Sequence, residues 1–213
     1  MANSLLQVHW DHVGEPGDFA RSTFVIGNGS LGLLRGDAAT LRGGHSFFEK
    51  DLLDPSRTVE LHQPYMTIPG SFKARAGPSA DFAQPWAPLA HLPATLDVFQ
   101  DGSLYVVDAP GHLPGHINLL ARTDKVDSSG HNKWMYLAGD ACHDRRILSG
   151  EREIGEWRDV HAAVCCIHAD RGQAEKTIQR IRALEEQGVE VILAHDAEWA
   201  NNPSNQTRFF GPS

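Results

Sequence analysis

Val8-His9-Trp10-Asp11-His12-Val13-Gly14 sets three metal-capable side chains within four residues, just ahead of a glycine that lets the backbone turn sharply. A zinc-like divalent ion takes imidazole nitrogen and carboxylate oxygen at about 2.0–2.2 Å. Residues separated by one position project to the same side of an extended segment, so a single loop of this kind can serve an ion and its neighbour together. Further along the chain come Pro110-Gly111-His112-Leu113-Pro114-Gly115-His116, then Gly139-Asp140, then Ala194-His195-Asp196. A lone Gly-Asp or Ala-His is uninformative. What carries weight is the order of the pieces and where each falls relative to the predicted strands.

Thr95 to Phe99 and Leu104 to Asp108 are short apolar or β-branched runs on either side of Asp101-Gly102, a strong hairpin signal. The second run leads directly into Gly111-His112. Lys133 to Ala138 reads as a buried strand delivering Gly139-Asp140. Ala174, Ile178, Ile181 and Leu184 recur at helical spacing over 172–187, and Gly188 stands in the usual stop position. Val189 to Ala194 is then a strand ending at His195. Three separate polar residues therefore sit on loops at strand ends, where a rigid scaffold concentrates chemistry. Earlier in the chain, Ser22 to Ile26 reads as a strand and Gly27 to Gly36 as turns. Residues 60–94 show no clear period and are expected to be an irregular insertion, either a substrate-covering loop or a surface excursion.

A chain of 213 residues can bury a sizeable core, and 41% hydrophobic with 22% charged residues is ordinary for a globular protein. Nineteen basic against 27 acidic side chains leave a formal charge of −8, which gives nucleic acid no electrostatic footprint. The longest apolar runs are too short to span a bilayer, and residues 1–7 lack a basic region or an apolar stretch of signal-peptide type. A cytoplasmic chain with no membrane partner is expected. Three cysteines, Cys142, Cys165 and Cys166, make no disulfide framework. All three read as reduced packing residues, with metal ligation the alternative for Cys142, two positions after Asp140.

The four motifs together resemble the ligand set of the metallo-β-lactamase superfamily, His-x-His-x-Asp-His followed by His, Asp and His. The likeness covers residues 8–200. Through His9-Trp10-Asp11-His12-Val13-Gly14-Glu15-Pro16-Gly17-Asp18-Phe19 and Gly139-Asp140-Ala141-Cys142-His143 it is nearest the N-acyl-homoserine lactonase-like, quorum-quenching branch, in its fungal members. The resemblance implies an α+β fold, the αββα four-layer sandwich, in one domain over 1–213. It implies His9 and His112 as ligands of a first ion, Asp11, His12 and His195 as ligands of a second, and Asp140 as the bridge. Zn2+ is the expected cofactor, one or two ions, with Mn2+ or Fe2+ as alternatives. The implied reaction is hydrolysis of a lactone or related ester by a metal-bound hydroxide, with Asp11 orienting or shuttling the proton. Thioester hydrolysis shares the same metal core. His143 lies where lactone-cleaving relatives often carry a tyrosine that assists the substrate carbonyl; it either donates a hydrogen bond there or points into solvent. Asp196 and Glu198 are candidates to steady His195, or surface acids. His116 reads as packing or support, and His45, His62, His91, His131, His161 and His168 as surface or loop residues without ligand spacing.

Two departures qualify that picture. Gln7 stands where the first histidine of the signature belongs, and only seven residues precede Val8, where family members carry several strands and a helix. A neutral amide oxygen suits such an ion poorly, so one well-held ion is expected, with the first seat weakened. An N-terminally truncated chain lacking most of its N-terminal strands is expected, prone to self-association through an exposed sheet edge. Met1 to Gln7 look unlike the apolar strand that normally leads into the motif. A non-catalytic fragment that binds at most one ion is therefore the alternative to the hydrolase.

Overall fold

The computed structural model describes residues 2–36, 41, 45, 47–65, 80–126 and 128–208. In chain order the strands are β1 (Ala2–Ser4), β2 (Thr23–Ile26), β3 (Thr58–Glu60), β4 (Ala87–Leu89), β5 (Leu92–Asp97) and β6 (Leu104–Asp108). They continue with β7 (Ile117–Val126), β8 (Asn132–Leu137), β9 (Glu156–Arg158), β10 (Val164–Cys166) and β11 (Glu190–Ile192). The helices are α1 (Ser30–Arg35), α2 (Arg145–Ser149), α3 (Arg171–Glu186) and α4 (Ala197–Asn201).

β1, β2 and β3 form a parallel sheet, and a mixed sheet runs β11-β8-β7-β6-β5-β4, with β11 parallel to β8 and the remaining pairs antiparallel. Strand periodicity fixes the layers. In β2, Phe24 and Ile26 pack with Leu33 and Leu34 of α1, while Val25 turns the other way to meet Leu96, Val106 and Ile117 of the second sheet. In β6, Val106 faces that interface, and its neighbour Val107 joins Ala174, Ile178 and Ile181 of α3. The order is thus helix, sheet, sheet, helix, the four-layer αββα arrangement. Each apolar side chain buried in this way contributes roughly 1.5–3 kcal/mol, so the two alternating strands do much to lock the layers together.

Helix α3 begins at Asp170, whose side chain accepts from Gln173 N, and buries Ala174, Ile178, Ile181 and Leu184 on one face. Its N-terminal end, with the two residues ahead of it, holds the His112 loop. Ala169 N donates to His112 O, Asp170 N to Gly111 O, and Thr177 Oγ1 to Pro110 O. The approach is so close that a Cβ on Gly111 (φ +130°) would lie 2.2 Å from Ala174 N, which is why a glycine precedes the histidine.

Three local expectations change. Residues before Val8 do form a strand: β1 pairs with β2, and Leu5 and Leu6 pack against the two cores flanking the small sheet. Gly27 to Gly36 is not all turn, because Ser30–Arg35 is helical between two left-handed glycines, Gly29 and Gly36. The stretch 60–94 contains β4 and the start of β5, with Leu92 and Ala94 buried, while 66–79 lie outside the described residues.

Candidate metal centre

Asp140 is the hub. Gly139 turns with positive φ at the end of β8, its carbonyl accepts from Ala194 N at the end of β11, and Asp140 N donates to His116 Nε2 at 3.2 Å. The loops after β6, β8 and β11 therefore meet, bringing His112, Asp140 and His195 together with the His9–His12 loop. His116, fully buried, supports this junction and its imidazole is held neutral by burial, down to about 3.

Around the Asp140 carboxylate, Oδ2 lies 2.9 Å from His12 Nε2 and 3.5 Å from both His112 Nε2 and His143 Nε2. Oδ1 lies 3.2 Å from His195 Nε2, which is also 3.6 Å from Asp11 Oδ2. His12 Nε2 reaches Asp11 Oδ2 at 3.3 Å, and His9 Nδ1 meets His112 Nε2 at 3.2 Å. One ligand atom from each of Asp11, His12, Asp140 and His195 falls within 4.8 Å of the others, and the same holds for His9, His112 and Asp140. All six residues expected as ligands thus converge, and His143 faces the same carboxylate rather than solvent.

This crowd suits a cation better than a hydrogen-bond network. Oδ2 offers two lone pairs to a larger set of nitrogens than it can serve. Oδ1 is buried without a well-formed hydrogen bond among the described residues, while His195 Nε2 stands beside it. Lone-pair atoms placed face to face need a proton or a metal between them. Electrostatics point the same way. Desolvation keeps His9 neutral, down to about 4, and lowers His112 further, so both present the ligating form. Burial works to raise the Asp140 carboxyl, but hydrogen bonds and charge from His12 and His143 outweigh it and hold the group ionised. His12 is itself raised: burial lowers it, and its contacts with Asp140 and Asp11 more than compensate.

Gln7 fills the place of the first histidine and is 1% exposed. Its Nε2 donates to Asp140 Oδ2 at 2.7 Å, while Oε1 has no partner among the described residues. An amide proton thus takes one lone pair of a carboxylate oxygen at the heart of the ligand group.

Two histidines read as surface or loop residues are buried at this centre. His45 is 5% exposed, and its Nδ1 lies 3.2 Å from His9 Nε2, while carbonyls of Ile167 and Cys166 face the same ring. That arrangement orients His9 and leaves its Nδ1 toward the ligand group. His168 is 3% exposed and forms a third group with His112 and His143. His168 follows strand β10 just as His112, Asp140 and His195 follow theirs, a signal the sequence offered; nothing in the spacing marks His45. Asp196 binds Arg145 Nε at 2.6 Å and caps α4, so it does not support His195, and Glu198 is exposed. Cys142 packs in the core, Cys165 is buried, and Cys166 is half-buried at the cleft; all three are free thiols.

Above the centre lies a cleft of about 290 Å³ lined by Trp10, Asp11, His45, Trp157, Ile167 and His195 among others. Trp10, Trp157 and Ile167 are exposed at its mouth. Among the described residues, no helix is long and apolar enough to cross a membrane.

No protein-family model matches the chain. Cytochrome P450 monooxygenase mpaDE′ of Penicillium brevicompactum is 28% identical over 209 residues, an alignment covering 89% of this chain and 21% of that protein. Metallo-hydrolase mfmC of Annulohypoxylon moriforme is 42% identical over 53 residues, 25% of this chain and 13% of mfmC. Gamma-lactamase FDB1 of Fusarium pseudograminearum is 28% identical over 137 residues, 63% of this chain and 27% of FDB1. The chain thus spans about a quarter or less of the length of these relatives. Among solved structures, a mutant of AiiA from B. thuringiensis with N-decanoyl-L-homoserine at its active site aligns at TM-score 0.53 and 17% identity, covering 92% of this chain and 56% of that one. AidC, a dizinc quorum-quenching lactonase, aligns at TM-score 0.52 and 11% identity over 91% of this chain and 56% of its own. The order of layers, the strand-end motifs and these likenesses together give the chain the metallo-β-lactamase fold, in the form that the N-acyl-homoserine lactonases carry.

Proposed function

We propose that this chain is a metal-dependent hydrolase of a lactone or related ester. The observation that carries the reading is the convergence of four loops on Asp140, with Asp11, His12 and His195 completing one full ligand group. Those four residues would hold one ion, zinc by likeness to the dizinc lactonase; His9, His112 and Asp140 make a second group that is one imidazole short. Such an ion, when bound, polarises a carbonyl and lowers the pKa of a coordinated water.

The chain's own residues supply the rest. Hydrolysis adds water across the acyl C–O bond: the water oxygen bonds the acyl carbon, the ring C–O bond breaks, and the alkoxide takes a proton. Asp11, a third exposed at the cleft floor, is placed to carry that proton. Trp10, Trp157 and Ile167 offer an apolar rim for a non-polar part of the substrate and exclude water. His116 and the Gly139 turn hold Asp140 in place.

The test is turnover by zinc-loaded protein against a panel of lactones, esters, thioesters and lactams. Hydrolysis of a lactone or ester is expected, with Asp11→Asn lowering kcat by about 100-fold or more, the ordinary scale of acid–base catalysis. Absence of turnover across the panel overturns the reading. A second reading has its own observation. The Gln7–Asp140 bond favours a non-catalytic chain that holds a single ion, and a zinc-loaded protein inert toward the whole panel is what that reading expects.

A further inference from the structure

We infer that His112, His143 and His168 form a three-imidazole metal seat, which takes the second ion in place of the seat that Gln7 leaves incomplete. The inference rests on the ion-binding half of the proposed function and not on the reaction.

Geometry supports it. One ligand atom from each of the three histidines lies within 4.8 Å of the others. Their ring centres stand 5.1 Å (His112–His143), 5.4 Å (His112–His168) and 5.3 Å (His143–His168) apart, a nearly equilateral triangle. Three imidazoles bound to one tetrahedral ion at ~2.0–2.1 Å place their ring centres about 5 Å apart. The rings are mutually tilted by 52°, 85° and 68°, as fans around a common point are, rather than stacked.

The second support is polar accounting. His112 and His168 are buried and His143 is half-buried, and the Nδ1 atoms of all three have no hydrogen-bond partner among the described residues. Three ring nitrogens left without a partner in one cluster are unfavourable, and an ion taken by those nitrogens offsets that cost.

A second triangle of imidazoles in the centre is built differently. His9, His45 and His112 have ring centres 5.2, 5.1 and 5.5 Å apart. There, however, His9 turns Nε2 toward His45 and Nδ1 toward His112, so its two neighbours lie on opposite nitrogens and the three cannot share an ion. The hydrogen-bonded His9–His45 pair makes a support, and His112–His143–His168 makes a seat. In that seat His143 is an ion ligand, not a donor to the substrate carbonyl.

The experiment is zinc stoichiometry after dialysis, with the visible spectrum of the Co2+ form as a second readout, on the full chain and on His168→Ala, His143→Ala, His9→Ala and His12→Ala. Wild type is expected to hold two ions. His168→Ala and His143→Ala should each lose one, with affinity down at least 10–100-fold and loss of the tetrahedral Co2+ bands, while His9→Ala keeps both. His143 is only half-buried, so its variant carries the test should His168→Ala fail to fold. Wild-type stoichiometry and spectrum in His168→Ala and His143→Ala, or loss of one ion in His9→Ala alone, overturns the seat. His12→Ala separately reports the Asp11–His12–Asp140–His195 group: if that variant loses no ion, the hydrolase reading fails while the three-histidine seat stands.

Discussion

Replacing Gln7 by leucine, similar in volume but without a donor or a ligand, isolates the amide's hold on Asp140. In EDTA the substitution removes a 2.7 Å buried hydrogen bond to an ionised carboxylate, a loss of about 1.5–3 kcal/mol. For a chain of this size that lowers Tm by roughly 3–12 °C. Zinc should erase the difference. If the ion takes the Oδ2 lone pair that the amide proton holds, it displaces that proton, and wild type gives up the bond when the ion is bound. The thermodynamic cycle then requires Gln7→Leu to bind zinc more tightly by the same amount, roughly 10- to 100-fold. Thermal melts with EDTA and with saturating zinc, together with a chelator-competition titration, measure every side of the cycle. If the Tm gap in zinc equals the gap in EDTA, the bond survives ion binding and Gln7 is not a competitor. If there is no gap in EDTA, the bond has no weight in the fold.

The apo protein should lose stability as pH falls from 6.5 toward 4. His9, His116 and His168 are kept neutral by burial, with folded values of about 4, 3 and 4 against 6.5 unfolded, so over that window the unfolded state binds more protons and stability falls with pH. Each contributes about 2 kcal/mol of destabilisation at pH 5 relative to pH 8. His12, raised by Asp140, works in the opposite sense because its contribution is full below 6.5 and is lost above its folded value. Urea melts in EDTA across this range check the direction, and a flat profile contradicts it. Gly111→Ala should cost more than about 3 kcal/mol, combining overpacking against Ala174 with a left-handed φ, and should depress zinc retention with it; an unchanged Tm contradicts the close approach.

Much of this centre could be read directly from the chain, for a physical reason. His112, Asp140 and His195 each follow a strand whose apolar run is plain, and His9, Asp11 and His12 share one short loop, so local pattern sufficed. The large sheet was visible in the same way, through the Asp101-Gly102 hairpin and the three-and-four spacing of α3. β1 was missed because three polar or small residues carry no strand pattern and depend on β2 for their pairing. His45 was missed because ligand spacing looks for neighbours in sequence, whereas it reaches the centre only through tertiary folding; His168 was missed although the short apolar run of β10 ahead of it gives the same strand-end signal as the other ligands. The bond from Gln7 likewise spans 133 positions, and substitution logic alone saw a missing ligand where there is also a competing donor.

His112 is clasped by the N-terminal end of α3, through two backbone amides and the Thr177 hydroxyl that donate to the carbonyls of 110, 111 and 112. Whatever loosens that helix also loosens an imidazole shared by two of the ligand groups. Changes on the far, water-facing side of the helix, where no substrate or ion could reach, should therefore register as altered metal retention. Grip on the ion and docking of a surface helix are one mechanical property, and selection on either constrains both.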